Sequence, residues 1–83
     1  MKLKLYLLTQ NEHRGYDTYD SCVVCAKNAD DAKTINPDGD KFIEGNDPWN
    51  TWATKLSSIS CTEIGIANKG IERGVIVASF NAG

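Results

Sequence analysis

From residue 2 the chain alternates polar and apolar side chains, Lys2-Leu3-Lys4-Leu5-Tyr6-Leu7-Leu8. A period of two belongs to an extended strand, whose side chains point to opposite faces in turn. Leu3, Leu5 and Leu7 share one face, and Lys2, Lys4 and Tyr6 the other. The polar stretch from Gln10 to Thr18 reads as a connection, long for a hairpin and so a candidate recognition loop. A second strand is predicted from about Tyr19 to Ala26. Asn28-Ala29-Asp30-Asp31 then has the chemistry of a helix start, with Asn28 as cap and two aspartates at the positive end of the helix dipole. Ala29, Ala32 and Ile35 form a narrow apolar stripe on that helix, and Pro37 stops it.

The segment PDGDKFIEGNDP is rich in turn residues. Trp49, Trp52 and Leu56 follow at spacings of three and four, which predicts a short helical turn bringing indole rings onto the core. Cys61 to Ala67 alternates again, with Ile64 and Ile66 on one face. After Asn68-Lys69-Gly70, a turn sequence, Gly74 to Phe80 is apolar on both faces, the pattern of a strand interior to its sheet. The order is ββαββ, a loose pair of hairpins around one helix. The fold class expected is a small α+β domain over residues 1–83, a four-stranded, mostly antiparallel sheet with one helix packed on a face.

Composition narrows the function. A chain of 83 residues makes one domain and buries only roughly 60–65% of the surface its unfolded form exposes. Nine basic against eleven acidic residues give a formal charge of −2. That supplies no basic field for phosphate backbones, so direct nucleic-acid binding is not expected. The apolar run Leu5 to Leu8 is too short for an export signal, and no stretch is long enough to span a membrane. A cytoplasmic setting, with reduced thiols, is the expectation, and the odd count of three cysteines suits it.

Candidate chemistry is sparse. Cys22-x-x-Cys25 has the spacing of a metal or redox pair, but such a pair needs a turn that brings both sulfurs together. Val23-Val24 favours a strand, on which residues three apart diverge, so both cysteines read as small buried thiols. The run Asn36-Pro37-Asp38-Gly39-Asp40, with Glu44 and Asp47, imitates a calcium loop, yet Lys41 stands where that loop requires glycine. It reads as an ordinary Asp/Gly turn. His13, the single histidine, lies in a polar loop without a paired nucleophile, and no glycine-rich phosphate cradle follows a strand. No catalytic residue, metal or cofactor is assigned.

Binding residues are assigned instead. Tyr16, Asp17, Tyr19 and Asp20 sit where the long loop enters the second strand, and tyrosines offer large contact area with a polar tip. Ser79, Phe80 and Asn81 lie at the end of the last strand, near a sheet edge. The combination of KLYLLTQ, GYDTYDSCVVCA, an alanine-bearing helix, a tryptophan after the central loop and GVIVASFNAG resembles a family of small uncharacterised proteins of bacteriophages and prophages. The resemblance covers most of the chain and is weakest from Pro37 to Ser60. It implies a small accessory protein in a bacterial cytoplasm, with no catalytic residues to carry over and no need for cysteine in the second strand.

The reading that follows is a non-enzymatic protein-binding module acting on a host or phage protein, by analogy with anti-CRISPR inhibitors. An alternative is an oligomeric small-ligand or nucleotide-binding protein, with Trp49 and Trp52 stacking on the ligand.

Overall fold

The computed structural model describes residues 2–12, 18–39, 41–42 and 52–81, the last without its side chain. Strands β1 (Lys4–Gln10) and β2 (Thr18–Ala26) come first, then helix α1 (Ala29–Ala32), a single 3₁₀ turn (Leu56–Ser58), β3 (Ile59–Ile66) and β4 (Gly74–Asn81). The strands form one antiparallel sheet in the order β3-β1-β2-β4, with α1 against one face. The expected α+β class is the one observed.

The sheet order departs from two hairpins. β3 and β4 are consecutive in sequence but occupy opposite edges, so residues 67–73 cross the end of the sheet past β1 and β2. Three strand spacings are about 14 Å, within reach of seven extended residues. The Asn68-Lys69-Gly70 chemistry is used inside this crossover. The Ile71 N–H donates to the Asn68 carbonyl at 3.1 Å, and Gly70 takes φ +100°, the position where this turn requires glycine. β4 is therefore an edge strand, not an interior one, with Ile76, Val77 and Phe80 exposed. Apolar residues on both faces gave no means of telling a strand covered by neighbours from one awaiting a partner.

Alternation in β1 is as expected, but the covering layer lies on the Tyr6 and Leu8 face, not on that of Leu5 and Leu7. Tyr6, Leu8, Cys22, Val24 and Ala26 meet Ala32, Ile35, Phe42, Trp52, Ala53 and Ile59 in one buried cluster. The long segment between β2 and β3 supplies most of this second layer. α1 itself is four residues long, shorter than the Pro37 boundary suggested. Its cap is as predicted, with the Asp31 N–H donating to Asn28 Oδ1 at 2.8 Å. It ends early because the Thr34 hydroxyl donates to the Asp31 carbonyl at 2.6 Å and the chain turns. Ile35 then bridges to Lys41 across a tight Asn36-Pro37-Asp38-Gly39 turn closed by a 2.9 Å hydrogen bond. Ile35 reaches the core from that turn, not from a helical stripe.

β3 carries a bulge at Ile64, which breaks the simple alternation read for Ile64 and Ile66; both are about half exposed. Trp52 reaches the core as expected, while Leu56, read at helical spacing from it, is exposed at a 3₁₀ turn.

Candidate functional site

Two surfaces follow from the register. One is the corner where β2 begins and β4 ends. Tyr19 pairs with Phe80, and Ser21 with Ser79, with Asp20 bulged between them. The bulge rotates Tyr19 onto the face of Cys22 and Ala78, and its ring lies 4.8 Å from that of Phe80 at 58°, an aromatic pair at the sheet edge. Tyr19 packs partly on the core, Phe80 is 45% exposed, and Asp20 and Ser79 are exposed. Asn81 pairs with Thr18 through the backbone. Two stretches singled out separately in the sequence are thus neighbours in space.

Gln10 holds this corner from beneath. It is 6% exposed, donates from Nε2 to the Tyr19 carbonyl at 3.0 Å and accepts the Glu12 N–H at Oε1, 2.8 Å. Glu12 in turn ties down the entry to the 3₁₀ turn. Its carboxylate accepts the Thr54 hydroxyl at 2.6 Å and the N–H groups of Thr54 and Lys55 at 2.9 and 3.1 Å. These hydrogen bonds, the Thr54 hydroxyl foremost, hold its pKa down at about 2. The sequence showed neither clamp: Gln10 reaches across the connection to the Tyr19 carbonyl, and Glu12 joins residues more than forty positions away.

Tyr16, Asp17 and Trp49, with His13, Glu44 and Asp47, lie outside the described residues. Trp52 needs correction as a stacking residue. At 3% exposure its indole is part of the core, and the apolar positions around it bury it there. The cysteines separate as their strand demands. Cys22 pairs with Leu8 in the core face and Cys25 with Leu5 on the other face, and both are free thiols. Burial pushes the Cys22 thiol up to about 12 and raises that of Cys61, so neither is poised as a thiolate. Among the described residues no group of three or more His, Cys, Asp or Glu is placed to hold a metal ion, and no helix is long and apolar enough to cross a membrane.

The second surface is the sheet face opposite α1. Register aligns three rows of four residues across all strands. Ser60, Thr9, Ser21 and Ser79 make a hydroxyl row. Thr62, Leu7, Val23 and Val77 make a mainly apolar one. Gly65, Leu5, Cys25 and Gly74 complete the face. A cleft of 470 Å³ also opens at the crossover, with Leu3, Ile66 and Ile71 beside the ammonium-bearing Lys2 and Lys69.

Compared with known protein families, with curated proteins and with solved structures, the chain matches none.

Proposed function

We propose that this chain is a non-enzymatic protein-binding module whose contact surface is the corner formed by Tyr19, Asp20, Ser79 and Phe80. The observation that carries the reading is the tilted Tyr19–Phe80 pair at an open strand edge, with Phe80 45% exposed beside an exposed carboxylate. Aromatic side chains ringed by polar groups are the usual anchors of protein interfaces. The resemblance of the sequence to small phage and prophage proteins supports a bacterial host protein as the partner, in the manner of an anti-CRISPR inhibitor acting in the cytoplasm.

The test is capture of a partner from bacterial lysate, its identification by mass spectrometry, and reconstitution with both proteins purified. Asp20→Arg with Phe80→Ala is expected to keep the circular dichroism of the parent and to weaken reconstituted binding at least tenfold. Equal binding by parent and variant would overturn the assigned surface. A second reading, a small anionic ligand, is supported by the two lysines of the crossover cleft. Calorimetric titration with nucleotides tests it, and heat lost in a Lys2→Ala, Lys69→Ala variant is its expected signature.

A further inference from the structure

The chain is 24% charged, so the twelve positions of the sheet face opposite α1 would carry about three charged side chains if charges were spread evenly. They carry none. An antiparallel sheet face left to water is ordinarily polar and charged. Here Leu7, Val23 and Val77 run side by side instead, with Val77 59% exposed, flanked by the row of serine and threonine hydroxyls. The floor beside them is open, since a Cβ at Gly65 would meet nothing within 4 Å.

We propose that this face is the interface between two copies of the chain, stacked about a two-fold axis as an eight-stranded sandwich. A charge-free face offers nothing to attract a charged partner, and its complement is another face of the same kind. The second copy always supplies one, and a net charge of only −2 opposes the approach weakly. Four strands about 4.8 Å apart and about seven residues long present roughly 450 Å² of flat face. Side-chain relief brings a stacked pair to about 1,000 Å², the lower bound for a specific interface, so micromolar affinity is expected. A two-fold stack closes on itself and gives a dimer, not a fibre. Phe80 and Tyr19, the anchors of the proposed partner corner, stand on the opposite face and only Ser79 is shared, so this inference does not rest on that partner surface.

Sedimentation equilibrium of the purified protein is the test. The expected result is a monomer–dimer equilibrium based on the 9.1 kDa chain, with Val77→Lys and Gly65→Lys each raising Kd roughly a hundredfold. Both side chains enter open space, so thermal melts of the two variants are expected to stay close to the parent's. A monomer at several hundred micromolar would overturn the proposal. So would a dimer that survives both lysines, or one abolished by Ile76→Lys alone, which would place the contact at the β4 edge.

Discussion

Cys22 and Cys25 show how far a single spacing can be trusted. The valines between them dictate an extended backbone, the register fixes one sulfur on each face, and the motif dissolves. That much was legible from residue types alone. With both thiols buried, and burial also raising the Cys61 pKa, native protein at pH 8 is expected to react with Ellman's reagent far more slowly than free cysteine. Denaturant should then release three equivalents. Rapid titration of Cys22 or Cys25 in the native protein, resolved by mass spectrometry, would contradict their placement. Glu12 was not legible, because its meaning lies in Thr54 and Lys55, over forty positions away. Its folded pKa lies below the unfolded one, so its contribution is present above about pH 4.5 and disappears as pH falls toward 2. Glu12→Gln is expected to cost about 1 kcal/mol at neutral pH, of the order of a lost cap, and to cost progressively less at lower pH. Urea melts at pH 7 and pH 3 measure both, and a loss independent of pH would contradict the assignment.

At the scale of elements, what the sequence makes plain is local and what it hides is pairwise. The Asn28 cap could be read because its donor is three residues away, and Asn28→Ala is expected to lower stability by about 1 kcal/mol in urea denaturation. The helix length could not, because it is set by the Thr34 bond and by the Ile35–Lys41 bridge rather than by Pro37. α1 is too short to persist alone and is held from outside. Arg73, in the crossover, forms a bidentate pair with Asp31 at 2.9 Å through Nε and Nη2 and also donates to Thr34. The guanidinium lowers the Asp31 pKa, and the same carboxylate accepts the Lys27 N–H. Arg73→Ala removes a pair that is half exposed on the arginine side, so a loss under about 1 kcal/mol is expected, declining in 1 M salt. A loss unchanged by salt would assign the effect to packing instead.

For the whole molecule, fold class was readable and strand order was not. Period-two patterns establish that a segment is extended and which residues share a side, but β4 looks the same whether it lies inside a sheet or at its border. Of the candidate contact residues, the sequence placed Tyr19, Asp20, Ser79 and Phe80 near a strand end, and only the β2–β4 pairing makes them one surface. Trp52 went the other way, because a large aromatic near turn residues serves a core as readily as a ligand.

The crossover of residues 67–73 sets how the chain comes apart. The two central strands belong to the amino-terminal half, and both outer ones come later, joined only by a link that skirts the sheet's end. Cleaving that link severs no strand, so the pieces should stay docked, as a broken mould still holds its cast. A fragment ending at residue 70 would leave β2 as a raw border, open to insertion by a synthetic peptide of residues 74–81. The final strand should thus behave as a detachable part that rebinds its own groove.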